Sequence, residues 1–187
     1  MDGKYKNSSQ LCSLKIKEVK MREDRKEGKK EKEKEIEKIT EELKSLSDFT
    51  EKNLKPEDYA CPGGYAHKIA NDIKEIKTAQ LRKFFNEIKR LHQQTKPEKN
   101  IEKVKVETVK LMPELVFAKG RGVITPEFYN LLETCMLKDD NGKKKCRFQS
   151  YDEFENFVSF LEAIVAYQKG ISRQKGISRE EKAEEEI

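Results

Sequence analysis

Apolar residues recur at helical spacing along most of the chain, and their stripes mark out a series of amphipathic helices. The clearest is Leu81, Phe84, Phe85, Ile88 and Leu91, which share one helix face because i, i+3 and i+4 stack along the axis. It lies in Thr78–Arg90, TAQLRKFFNEIKR, and the rest of the chain reads as organised around it. The Thr78 hydroxyl is placed to cap the first turn, and the helix ends at Gln93, Gln94 and Thr95, before Pro97. Ile69, Ile73 and Ile76 predict a preceding helix from Tyr65 to Ile76. Ile101, Val104, Thr108, Leu111, Met112 and Leu115 form the inner stripe of a following one, Ile101–Lys119. Pro113 should kink that helix by removing a backbone donor, and Gly120 should end it in a left-handed conformation. Thr125-Pro126-Glu127 opens the next, with Thr125 as cap and Pro126 at the first helical position. Its apolar face is Phe128, Leu131, Leu132, Cys135 and Met136. The last helix opens at Ser150, where Glu153 completes a capping box. Phe154, Phe157, Val158, Leu161, Ile164 and Val165, widened by Phe160 and Tyr167, should make it the most buried of the set.

Before these helices, Ile36, Ile39, Leu43 and Leu46 are spaced 3, 4 and 3, a short amphipathic helix seeking a partner face. Residues 14–35 are mostly Lys and Glu and read as a solvated or disordered arm, and residues 1–13 as disordered. Pro56, Cys61-Pro62 and Gly63-Gly64 make a breaker-rich boundary. Asp139–Lys145, DDNGKKK, reads as a polar loop around an Asn-Gly turn. QKGISR occurs twice in tandem, at Gln168–Arg173 and Gln174–Arg179, which suggests duplication in a tolerant tail. No strand-period segment of useful length is present. The expected fold is all-α: a bundle of about five helices over residues 64–169, with a charged helical or disordered extension (1–55), a linker (56–63) and a disordered tail (170–187).

Charged residues make up 40% of the chain and apolar ones 35%, too polar for one compact core over the whole length. The net charge of +5 conceals its distribution: residues 74–121 carry 13 Lys/Arg against 6 Asp/Glu. The positive excess therefore sits on the best-defined helices, as expected of a surface that faces phosphates. Arg82, Lys83, Lys89 and Arg90 fall on or beside the polar face of the central helix, and Arg121 follows the end of the next. If the two helices pair antiparallel, those ends meet. Lys77, Arg82, Lys119 and Arg121 would then form one patch, with Lys89 and Arg90 at its far end. Such contacts bind any sequence and weaken steeply with salt. Competing structural roles exist for two of them: Arg82 as the ion-pair partner of Glu162, and Arg121 as a C-terminal cap on the last carbonyls. The nine Phe are mostly spent on core stripes, so base stacking is not expected to dominate.

Catalytic chemistry has little to stand on. Cys12, Cys61, Cys135 and Cys146 form no C-x-x-C pair, and His67 and His92 have no suitably spaced partners. Buried structural thiols are the expected role of the cysteines. Asp and Glu are dispersed rather than clustered for metal-dependent hydrolysis, Asp139-Asp140 reads as a turn, and neither GxGxxG nor GxxxxGK occurs. We expect no enzyme activity, no cofactor and no metal. The polar N-terminus and the lack of a membrane-length apolar run point to a cytoplasmic protein with reduced thiols.

Three motifs carry a family resemblance. Thr78-Ala79-Gln80-Leu81-Arg82-Lys83-Phe84-Phe85, then Pro113-Glu114-Leu115-Val116-Phe117-Ala118-Lys119-Gly120-Arg121, then Phe154 through Tyr167 stand in the order found in one family. Together they resemble the small subunit of type III-A CRISPR effector complexes, the Csm small-subunit family, over residues 64–169. The resemblance implies a non-catalytic helical bundle that supports antiviral defence. Its partners would be guide RNA, target RNA, the other subunits and copies of itself, and it would bind the RNA backbone without sequence preference. Arg82 and Arg121 match the family's basic positions; Lys77, Lys83, Lys89, Arg90, Lys110 and Lys119 join them on charge and helical phase. The alternative is a structural oligomerisation or adaptor protein with no direct nucleic-acid contact.

Overall fold

A computed structural model describes residues 35–185 apart from 74, 75 and 77; of Thr78, Gln80 and residues 174–185 it describes the backbone alone. The fold is all-α with one small hairpin. A helix over residues 35–45 (α1) is followed by α2 (Pro56–Ala60), α3 (Tyr65–Asp72), α4 (Thr78–Thr95), α5 (Ile101–Gly120) and α6 (Pro126–Met136). The hairpin strands β1 (Leu137–Asp140) and β2 (Lys143–Cys146) precede the long α7 (Tyr151–Glu185). Lys77 and the Thr78 hydroxyl cap fall outside what is described.

The first half of α7 is the spine on which α2, α3, α4 and α5 all pack. Its apolar residues come at 154, 157, 158, 160, 161 and 164, a face spanning roughly 160° of the helix, and all six side chains are buried. Phe148 closes the cluster, with ring centroids 5.5 Å from Phe154 and 5.1 Å from Phe157. Ser150 caps α7 as expected, accepting from the Glu153 amide at 3.3 Å. The reciprocal half of the capping box is displaced by one residue: the Glu153 carboxylate accepts from the Gln149 amide.

The core includes residues from the segment read as an extension. Ile36, Ile39, Leu43, Phe49 and Leu54 are buried. Two buried polar side chains hold this segment by its backbone. The Asn156 amide donates to the Phe49 and Leu54 carbonyls, both at 2.8 Å, and accepts from the Tyr59 hydroxyl at 3.0 Å. The Arg147 guanidinium donates to the Leu43 and Leu46 carbonyls near the C-terminus of α1. Between these anchors Asp48 makes an Asx-type turn, accepting from the Thr50 hydroxyl and amide. Those donors pull its pKa from 3.8 to about 2. A carboxyl depressed by folding contributes stability that is complete above its unfolded pKa and lost as pH falls through the folded one. Asp48→Asn should therefore lower the urea midpoint at neutral pH, and its gap from wild type should shrink between about pH 4 and pH 2.

Several expectations need correction. The helix expected over Tyr65–Ile76 stops at Asp72, and Ile76 instead donates to the Ile73 carbonyl in a turn. Ile73 and Ile76 stay buried, so the apolar spacing was real but did not require helix. Pro56–Ala60, in the segment read as a linker, forms one short helix. Pro113 sits exposed inside α5, and the helix continues past it to Gly120, as a kinked helix also would. The left-handed residue is Gly122, at φ +64°, not Gly120. The Gly122 amide donates to the Lys119 carbonyl and the Val123 amide to Ala118, both at 2.9 Å, a Schellman ending with Arg121 as the C-cap residue. Open space surrounds the missing Cβ of both glycines. Gly122→Ala should then cost about 1 kcal/mol through left-handed strain, whereas Gly120→Ala should be neutral or stabilising, as denaturant titration would read.

DDNGKKK is not a plain loop. It closes the antiparallel hairpin β1–β2, with Asn141 at φ +54° and Gly142 at +78°, the two left-handed positions of a type I′ turn. Asp139 faces Lys144 and Asp140 faces Lys143 across it. The α7 backbone continues through both QKGISR hexamers.

Candidate nucleic-acid interface

The start of α4 and the end of α5 meet at a groove of about 400 Å³. Lys83 and Phe84 line it from α4; Pro113, Glu114, Leu115, Phe117 and Ala118 line it from α5; Arg121, Val123 and Ile124 follow. The Schellman turn builds one wall, because it folds Val123 back against Ala118. Asn100 starts α5 by accepting from the Lys103 amide at 3.0 Å, and its inner stripe of Val104, Thr108, Met112 and Leu115 sets the helix against the core. Phe117 lies on the opposite side and is 65% exposed.

Of the four cations expected in one patch, Arg121 lines this groove, and the α4 cation beside it is Lys83 rather than Arg82. Lys83 and Arg121 are both exposed, and neither has an acidic partner among the described residues. The Arg121 guanidinium lies over the Phe117 ring, 5.4 Å from its centroid, while its backbone forms the helix C-cap. No side-chain bond from it to the last carbonyls occurs among the described residues, so capping by its side chain is not its role here. Arg82 is exposed and has no ion pair among the described residues. It lies about 100° around α4 from Lys83, on the flank of Lys89 seven residues on.

The Glu162 partner is Lys89, not Arg82: Lys89 Nζ donates to Glu162 Oε1 at 3.0 Å and lies 5.7 Å from the Phe85 ring centroid. Arg90 grips Glu87 through two nitrogens, at 3.1 and 2.8 Å. Lys110 reaches Glu107 at 2.7 Å and holds that carboxyl below its usual range. Lys119 turns toward α6, 4.3 Å from the Tyr129 ring centroid. Lys77 lies outside the described residues. The expected strip is therefore divided: among the described residues Lys83, Arg121 and Arg82 have no carboxylate partner, Lys89, Arg90 and Lys110 are each held by one, and Lys119 and Arg121 each lie over an aromatic ring.

Reasoning from sequence missed the groove's aromatic wall. A second apolar line on α5, Val106, Val109, Val116 and Phe117, is 42–65% exposed and lies opposite the inner stripe. Its spacing of 3, 7 and 1 was readable from the sequence as one face.

The remaining chemistry is ordinary. Among the described residues no cluster of His, Cys, Asp and Glu suited to a metal occurs, and no helix is long and apolar enough to cross a membrane. His67 accepts from the Gly63 amide at 2.9 Å and stacks on Tyr167, and His92 faces Glu155 at 3.4 Å. Cys135 is buried, and burial pushes its thiol up to about 12; Cys146 is also buried, whereas Cys61 is exposed rather than a structural thiol.

The family described as Csm2 Type III-A matches residues 57–174, more than half of the chain and inclusive of all three motifs. The chain therefore belongs to the Csm2 Type III-A family, the small subunit of type III-A CRISPR effectors. No curated protein matches it, and no solved structure does.

Proposed function

We propose that this small subunit is non-catalytic and grips the ribose–phosphate backbone of guide and target RNA, without reading sequence, in cytoplasmic antiviral defence. The observation that carries the reading is the pair Lys83 and Arg121, unpaired and exposed at one groove, in a stretch of strong positive excess. Unpaired surface cations release counterions from a polyanion without first breaking an internal ion pair. Arg82 extends the contact along α4. Lys89, Arg90 and Lys110 contribute only by exchanging Glu162, Glu87 and Glu107 for phosphate, so their share is smaller; Lys77 and Lys119 complete the set. The test is titration of the full chain with single-stranded RNAs of unrelated sequence. Similar affinities that fall together with salt support the reading; salt-independent or absent binding overturns it.

A second reading, a helical oligomerising adaptor, has one observation in its favour. Val106, Val109, Val116 and Phe117 form an exposed apolar line of a kind that marks an interaction surface. Sedimentation of the Val109→Lys variant against wild type separates the two, because loss of self-association with unchanged RNA affinity would favour the adaptor.

A further inference from the structure

The groove is more than a pair of charges. Its rim holds Lys83 and Arg121, its walls are Phe84, Leu115 and Phe117, and one carboxylate, Glu114, stands in the lining. A phosphate inside would meet Glu114 and apolar walls, a poor exchange for water. A flat neutral group avoids both penalties, and its charged flanks can rest on the rim. The volume of about 400 Å³ admits one group of nucleobase size. Phe117 offers the surface such a group needs. It is the most exposed large apolar residue among those described, and Arg121 already lies over its ring. Aromatic and guanidinium planes are the usual platforms for unpaired bases, and stacking on them tolerates any base.

We infer that the α4–α5 groove seats one unpaired base of single-stranded RNA against Phe117, with the flanking phosphates on Lys83 and Arg121. The inference rests on the RNA-backbone reading and adds a base to it. It departs from the expectation that base stacking does not dominate because the Phe are mostly spent on the core, since Phe117 is not. Because the platform is an aromatic face, it leaves binding sequence-tolerant while discriminating single strands from duplex.

The test uses the full chain and a single-stranded RNA carrying one 2-aminopurine, with inorganic polyphosphate as a competitor that has charge and no bases. Phe117→Ala should weaken RNA binding at least about fivefold. It should abolish the 2-aminopurine fluorescence change and leave the salt slope and polyphosphate affinity as in wild type. Phe117 is largely exposed, so the variant should keep its melting temperature. If Phe117→Ala leaves both RNA affinity and fluorescence unchanged while the salt slope persists, the base seat is wrong and the backbone reading survives. If the wild-type chain shows no salt-dependent RNA binding, both fail. If Phe117→Ala dissolves a self-associated species and spares RNA binding, the groove is a protein interface and the inference is overturned.

Discussion

Arg147→Ala is expected to destabilise the chain by about 3 kcal/mol, a loss of roughly 6–12 °C in melting temperature for a chain of this size. Arg147 is buried, and its guanidinium donates to three carbonyls: Thr134 in α6 at 3.1 Å, Leu43 at 2.9 Å, and Leu46. The guanidinium also lies 4.3 Å from the Phe49 ring centroid. It thus caps the C-terminal end of α1, where the helix dipole favours a cation, and ties that end to α6. No carboxylate pairs with it among the described residues, and burial draws its pKa down from the ordinary value. Removing it leaves the buried Leu43 carbonyl and the partly buried Leu46 and Thr134 carbonyls without this donor, which is where most of the cost arises. Arg147→Lys should rescue little, because one ammonium cannot span three carbonyls held by a planar fork. Urea unfolding measures the loss, and amide exchange locates it. Protection should fall first across residues 35–54 while α4 and α7 keep theirs. A loss under about 1 kcal/mol, or loosening spread evenly over the chain, would contradict the clamp.

The second large effect is on binding. Lys83→Gln combined with Arg121→Gln should lower the slope of log affinity against log salt by about two contacts' worth. A Lys110→Gln control should change it less, since Lys110 is already engaged by Glu107. Both groove residues are exposed, so folding should be unaffected and the change is attributable to binding. A double variant with an unaltered slope would remove the groove from the RNA contact. A large drop for Lys110→Gln with none for the groove pair would move the contact along α5.

Much of this was readable from residue spacing, and the failures have physical reasons. The bounds of α4 and α6 follow from clean apolar stripes and, at α6, from Thr125-Pro126. The end of α5 slipped because Gly120 and Gly122 flank Arg121, and either glycine fits a left-handed turn. The hairpin was missed because Asn141-Gly142 is flanked by charges instead of alternating apolar residues. Three of its four cross-strand pairs join charged residues, Asp with Lys twice and Lys138 with Lys145, and only Cys146 of its strand residues is buried. At the site, convergence of the α4 start with the α5 end was legible from an antiparallel pair, but the choice of Lys83 over Arg82 is a matter of helical phase. The Glu87–Arg90 and Glu107–Lys110 pairs, three residues apart, were visible in the sequence. The Lys89–Glu162 pair was not, since it depends on how α4 lies on α7. Arg147 left no local signal either, because two of its three acceptors lie about a hundred residues away.

The most direct measurement is a map of RNA contacts on the protein. Single-stranded RNA containing 4-thiouridine, cross-linked to the full chain and read by peptide mass spectrometry, should label residues 81–91 and 113–124. Labels concentrated on the Lys138–Lys145 hairpin or on α7, with the α4–α5 groove clean, would contradict the proposed interface.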